Sequence, residues 1–427
     1  MSAYRNIHIL ALLGAASLLG FTSCHKDDDT PDPLQQKVYT GFMQLSVTYN
    51  GAPVSGKQVT ITPQADGSAR MEVEGFFNVA QLGGDFKDMP PVRTAGVMPG
   101  TPVLTLTAPM HADGSAYSFS GKGSTDYATF SYSGRVNNEK MQLNFTDVKL
   151  LNQSLAGGVW KPAPIEMNEN GVGWKSSPFH FVWEANLPDE LGLNINGDLL
   201  QMLANLPFIP AYGGTAEMSL AQVVANGLKT LAFSPDGNLV MTYLQSAQGA
   251  AQITHAPLCM MQYLPLAQGS FQFYLNPTDL LTVILLNNDK HSPDIPENPF
   301  GAPRRAAADN PDSGSTTANP VIEHLKQLLM QTLVQLAPQL PYGIPLYYAP
   351  SATGINVYIG HQDLMPVAKA IVQTILSDPE LQKLIMEAAQ KDPTLLQQLP
   401  KIQELMKQLP TILELTTRLE LGLSLVK

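Results

Sequence analysis

The groups with which this chain could do chemistry are two cysteines, eight histidines and thirty-six carboxylates, and their spacing points away from catalysis. No Gly-x-Ser-x-Gly places a serine on a strained turn. No His-Glu-x-x-His sets two imidazoles on one helix face, and no glycine-rich loop is built to cradle a phosphate. Glu323-His324 are neighbours on a helical pattern and read as a solvated face. Asp189-Glu190 lack the partner carboxylate that glycoside hydrolysis needs. Cys259 sits in His255-Ala256-Pro257-Leu258-Cys259-Met260-Met261 and reads as a buried, inert thiol. No Cys or His pair has metal-ligand spacing. The sequence therefore assigns no catalytic residue, no metal and no cofactor. The chemistry left is apolar contact. Phe179, Phe181 and Trp183 alternate along one run, as do Met241 and Tyr243, Met261 and Tyr263, and Phe271 and Phe273. Side chains two apart on a strand share a face, so these nine are the candidate lining of a site for an apolar small molecule.

One residue has a covalent fate written beside it. Arg5 is followed by an almost wholly apolar run, Ile7 to Phe21, too short to span a bilayer and laid out like a secretory signal. Phe21-Thr22-Ser23-Cys24 then resembles a bacterial lipobox. The resemblance implies that residues 1–23 are a signal peptide and that Cys24 carries lipid, the membrane anchor of the protein. Lys26-Asp27-Asp28-Asp29 is similar to the surface-export signal of Bacteroides-type lipoproteins. That implies an outer-membrane protein facing the cell exterior, with the periplasmic face as the alternative. Residues 24–36 form a tether.

The net charge is −11 and there is no basic block, which excludes nucleic acid as a partner. From residue 37 to 150 the pattern is period two. Leu45, Val47 and Tyr49 share a face with Met43; so do Val59 with Ile61, Met71 with Val73, Leu104 with Leu106, Tyr117 with Phe119, Phe130 with Tyr132, and Met141 with Leu143 and Phe145. Asn50-Gly51, Asp66-Gly67, Asp113-Gly114 and Asn137-Asn138 mark tight hairpins. The spacing predicts an antiparallel meander that closes on itself, with residues 77–102 as a loop over one end. Tyr39-Thr40-Gly41, Val59-Thr60-Ile61-Thr62 and Ala65-Asp66-Gly67 resemble the calycin-like domains of Bacteroides-type lipoproteins, which implies a β-barrel.

Residues 151–427 read as a second unit with inserted helices. Leu419, Leu421, Leu423 and Leu425 make its clearest strand, expected to close the sheet by pairing with earlier strands. Leu199–Leu206 and Ser219–Leu228 read as short helices. Asp363 is expected to cap a helix to Leu376 with Pro366 in its first turn. Pro400 and Pro410 are expected to break the later stretch into short helices. Residues 288–319 read as a disordered loop with Arg304-Arg305 open to proteases. Gly158-Val159-Trp160 is similar to the opening of lipocalins. That resemblance implies a second calycin-like barrel in which Arg418 packs across Trp160.

The expected class is thus α+β, mainly antiparallel β, with two calycin-like β-barrel modules. The expected function is a surface-anchored, non-enzymatic binding lipoprotein for an apolar small molecule. The alternatives are an adhesion lipoprotein presenting loops to a protein or glycan, and a lipid or glycan hydrolase.

Overall fold

The computed structural model describes residues 31–82, 87–169, 174–188, 197–205, 207–210, 217–247, 250–267, 269–286, 336–379, 382–383, 386–387, 390 and 399–427. Cys24, Asp189-Glu190, Glu323-His324 and the 288–319 loop lie outside the described residues.

The first half forms β1 (Lys37–Thr40), β2 (Leu45–Tyr49), β3 (Ala52–Pro53), β4 (Lys57–Pro63), β5 (Ser68–Phe77), β6 (Val92–Thr94), β7 (Val103–Pro109), β8 (His111–Asp113), β9 (Ala116–Ser124), β10 (Ala128–Val136) and β11 (Met141–Leu150). They make two sheets. One runs β1-β4-β5-β6, with β7 also on β5; the other runs β3-β2-β11-β10-β9-β8. The alternating residues named above meet between them: Tyr39, Val59, Ile61, Met71 and Val73 from one side, Val47, Tyr49, Met141, Leu143 and Phe145 from the other. Met43 is the exception. It is 69% exposed, because the chain is still turning there. Asn50 and Gly51 both have positive φ, 48° and 85°, the geometry of a two-residue hairpin turn.

The second half forms β12 (Val159–Pro162), β13 (Glu166–Met167), β14 (Trp174–Ser176), β15 (Phe179–Ala185), α1 (Gly197–Ala204), β16 (Pro207–Pro210), β17 (Glu217–Ser219), α2 (Leu220–Gly227), β18 (Leu228–Phe233), β19 (Leu239–Ala247), β20 (Ala250–His255), β21 (Met261–Pro265), β22 (Ser270–Leu275), α3 (Pro277–Leu286), β23 (Ile344–Pro350), β24 (Gly354–Ile359), α4 (His361–Ser377), α5 (Leu399–Glu414) and β25 (Thr416–Val426). One ten-stranded sheet runs β20-β19-β18-β12-β25-β24-β23-β22-β21, with β15 also on β25. The sheet curls. Its far strand returns to the near one through a bridge between Asn238 and Gln262 and through Tyr263 N–H to Gly237 O at 2.8 Å.

Mostly antiparallel sheets with few helices give the expected class, α+β. Several finer expectations change. No closed barrel is found among the described residues. The first half is not a pure meander either, because β2 and β11 pair in parallel. The terminal strand β25 sits inside its sheet, between β24 on one side and β12 and β15 on the other. Residues 95–98 are not a cover over one end. Ala95, Val97 and Met98 are buried, and Ala95 joins the core of the second half. Helix α4 is capped by Gly360 and starts at His361, so Pro366 lies inside it rather than in the first turn. Helix α5 holds Pro400 in its first turn and runs through the exposed Pro410, so neither proline breaks it as expected. Helix α2 is as expected, with Ser219 and Gln222 forming a reciprocal capping box.

The halves share a core. Ala95, Ala128 and Leu150 pack with Phe233, Leu239, Tyr263 and Phe271. Leu150 N–H bonds Pro235 O at 3.0 Å, and the Tyr49 hydroxyl donates to Asp236 O.

Candidate functional site

Strand register decides which side chains of the ten-stranded sheet share a face, because residues directly opposite point the same way. Leu421 pairs with Phe181 and with Ile359; Leu423 pairs with Phe179 and Val357. Val357 pairs with Tyr348, Leu346 with Phe271, and Phe273 with Tyr263. On the other side Pro162 pairs with Leu425, Trp160 with Leu231, and Leu231 with Met241. All nine candidate residues therefore lie on one face, the concave one.

Burial divides that face into three zones. At one end Phe233, Tyr263 and Phe271 are 2%, 0% and 1% exposed. Their rings meet edge to face, with centroids 4.9, 5.7 and 6.4 Å apart. The Tyr263 hydroxyl donates to Ser234 O at 2.8 Å, and burial raises its pKa. This end is filled and abuts the first half. At the other end Trp183, Leu364, Ile412, Leu413 and Leu419 form a second core under α4 and α5. Trp183 Nε1 donates to Thr416 Oγ1 at 2.9 Å.

Between the ends the described residues cover the face less completely, although α1 lies along β15, with Leu200 on the Trp183 core and Gln201 Nε2 donating to Ser177 Oγ. Along β25 the inward leucines read 5% exposed at Leu419, 40% at Leu421 and 1% at Leu425. Phe179 and Phe181, stacked at 5.1 Å, are only half-buried, as are Met241, Tyr243, Met261 and Phe273. Leu425 lies six residues beyond Leu419, roughly 20 Å along the strand, and the trough lies between these two buried leucines. Of the nine candidates, Phe179, Phe181, Met241 and Tyr243 border it; Met261 and Phe273 pack, partly buried, against the filled end, and Trp183, Tyr263 and Phe271 belong to the packed ends themselves.

The convex face is polar. Register sets His180 and Tyr358 on either side of Gly422, and their rings close over it at 4.9 Å. A Cβ on Gly422 would lie 2.7 Å from that of Tyr358, so only glycine fits there. Tyr347 stacks on Tyr358 at 5.9 Å. Glu420 receives Arg418 Nε at 2.7 Å and pairs with His180 Nε2 at 2.9 Å. Burial alone would raise the Glu420 carboxyl, but the hydrogen bonds from Arg418 and His180 outweigh it and hold its pKa below the usual range. Arg418 also reaches Glu184 at 3.2 Å.

That arrangement overturns the expected Trp160–Arg418 contact. Arg418 points to the convex face, Trp160 to the concave one. Lys161 pairs with Val426, eight residues from Arg418, or about 26 Å along the strand. The cation over Trp160 is Lys427, 5.5 Å from the ring centroid. A double-mutant cycle of Trp160→Leu with Arg418→Met should show coupling below about 0.3 kcal/mol, the additivity of distant sites. Coupling near 1 kcal/mol would contradict this register.

The sequence did not disclose the ion pairs of the convex face or a buried cluster at the junction of the halves. There Lys57 Nζ donates to Ala95 O at 2.7 Å and Gly96 O at 3.1 Å. Asp279, in the first turn of α3, accepts from Ser55 Oγ at 2.6 Å and Asn276 Nδ2 at 2.8 Å. Cys259 is buried and free, as expected. An open groove of about 300 Å³ also lies between α4 and α5, lined by Val372, Leu376, Leu413, Lys369 and Glu414 among others. Neither a protein-family model, nor a curated protein, nor a solved structure matches this chain.

Proposed function

We propose that this chain is a lipid-anchored, outward-facing, non-enzymatic binding protein that holds an apolar small molecule in the concave trough of its second sheet. The observation that carries the reading is the burial along β25, where Leu421 is 40% exposed between leucines at 5% and 1%. Apolar surface left in water costs about 25 cal/mol per Å², and an apolar occupant of the trough removes that cost. The aromatic lining and the packed ends give such an occupant length and walls, with the Tyr243 hydroxyl as a polar group at the edge, which suits a mainly apolar ligand. The curl of the sheet and the Asn238–Gln262 bridge support a calycin-like, lipocalin-like architecture for this unit. The anchor and its outward face rest on Phe21-Thr22-Ser23-Cys24 and Lys26-Asp27-Asp28-Asp29.

An apolar fluorophore, N-phenyl-1-naphthylamine, tests the site. The full chain should bind it saturably, and Leu421→Glu should weaken that binding at least about tenfold by placing a charge in the trough. Tyr347→Ser, on the convex face, should leave it unchanged. No saturable binding, or binding indifferent to Leu421→Glu, would remove the ligand reading and leave the adhesion reading. A glycan contact has one observation of its own: the row His180, Tyr358 and Tyr347 on the convex face, where Tyr347 is 37% exposed. Loss of glycan-array signal in Tyr347→Ser would identify it.

A further inference from the structure

At its Leu425 end the trough meets a row of polar side chains. Strand β18 carries a bulge there. Leu228 pairs with Tyr243 and Thr230 with Thr242, so Lys229 is the extra residue between them. Alternation from Leu231 sets Lys229 on the concave face, as alternation from Met241 sets Tyr243. On β20, Thr254 lies opposite Tyr243. Lys229, Tyr243 and Thr254 therefore form one row across three strands, and all three are half-buried. The register of Trp160 with Leu231 and of Pro162 with Leu425, carried on by two residues, puts this row level with Leu425. Phe181, opposite Leu421, lies four residues further along, about 13 Å.

The row has donors to spare. Among the described residues Lys229 has no carboxylate partner, and the hydroxyls of Tyr243 and Thr254 have no hydrogen-bond partner. Helix α2, which packs on β18 and β19, carries no acidic residue that could reach the lysine. A half-buried ammonium gives up part of its hydration, and an anion beside it offsets that loss.

We infer that the trough binds a long-chain carboxylate, with the head on Lys229 and Tyr243 and the chain along Phe179, Phe181 and Leu421. The inference rests on the trough reading above and names its class of ligand. A carboxylate accepts from an ammonium and a phenol at once, and both bonds gain from its charge. A plain hydrocarbon in the same place would leave the ammonium against apolar matter. A cationic amphiphile would bring like charge to Lys229. From the polar row the half-buried apolar face leads in one direction only, toward Leu421, because beyond Leu425 the sheet is filled by Phe233, Tyr263 and Phe271.

The test compares cis-parinaric acid with its methyl ester, which keeps the chain and removes the charge, on the full chain at pH 8. The acid should bind at least about tenfold more tightly than the ester. Lys229→Met should bring the acid down to the affinity of the ester, and Lys229→Arg should keep most of the preference. Tyr243→Phe should weaken acid and ester alike by about threefold, because both carbonyls accept from the hydroxyl. Equal binding of acid and ester, or a preference that survives Lys229→Met, overturns the carboxylate inference and leaves the trough. If neither form of the probe binds saturably, and N-phenyl-1-naphthylamine does not either, the trough reading falls and the inference with it.

Discussion

Phe271→Ala should lower the unfolding free energy by about 3–5 kcal/mol, whereas Phe181→Ala should cost about 1 kcal/mol or less and instead weaken binding of an apolar probe. Both residues are phenylalanines on the concave face of one sheet. They differ in what surrounds them. Phe271 is 1% exposed and meets Phe233 and Tyr263 edge to face, with Tyr348 tilted against it at 6.4 Å. Removing its ring leaves a void that these three rigid neighbours cannot fill. Phe181 is half-buried, and among the described residues its ring partner is Phe179. Its loss exposes little that water does not already reach. Chemical denaturation of the two variants and probe titration of both separate the roles. Equal destabilisation by the two substitutions would mean that the middle of the sheet is as solid as its ends. The trough would then not exist, and the protein would act through its surface.

How much of this was legible in the sequence depends on whether a feature is local. Alternation along a strand is local, so the inward faces of β2, β4, β5, β10 and β11 were readable, and so were turns such as Asn50-Gly51 and the Ser219 cap. The common face of the nine candidate residues was implicit in the same alternation. Their division into trough and packed ends was not, because it depends on which strand lies opposite which. Register across five strands puts Tyr263 under Phe233 and leaves Leu421 open. The Arg418 misreading has the same origin. Alternation already set Arg418 opposite in facing to Leu419, but only register showed Glu184 as its neighbour and Lys427 as the partner of Trp160. Lys57 reads in sequence as an ordinary strand lysine between Gly56 and Gln58. What buries it is Ala95 and Gly96 nearly forty residues on, and the second half of the chain beyond.

Lys57 and Cys259 should give the protein an unusual alkaline stability profile, and two substitutions should take it apart in opposite directions. Burial lowers the Lys57 pKa to about 8, with Cys259 and Asp279 pulling it back only in part. The unfolded lysine titrates near 10.5. Between those values the unfolded chain holds a proton that the folded one has released. Stability therefore rises with pH from about 8, by up to about 1.4 kcal/mol per unit. Cys259 works the other way. Burial pushes its thiol far above the ordinary range, although Lys57 lowers it somewhat, so the folded thiol stays protonated while the unfolded one ionises near 9.0. Above that point unfolding releases a proton and stability falls with pH. In the natural protein the climb from pH 8 should flatten above about pH 9, where the two slopes cancel. Lys57→Met should abolish the climb and leave a decline above 9. Cys259→Ala should let the climb continue until the tyrosines begin to oppose it, since the buried Tyr49 is also held protonated in the fold. Matched at pH 8, the unfolding free energies of the two variants should diverge by roughly 3–4 kcal/mol at pH 10. Curves that stay parallel from pH 8 to 10 would show that Lys57 and Cys259 titrate alike in both states, and that the junction between the halves admits water.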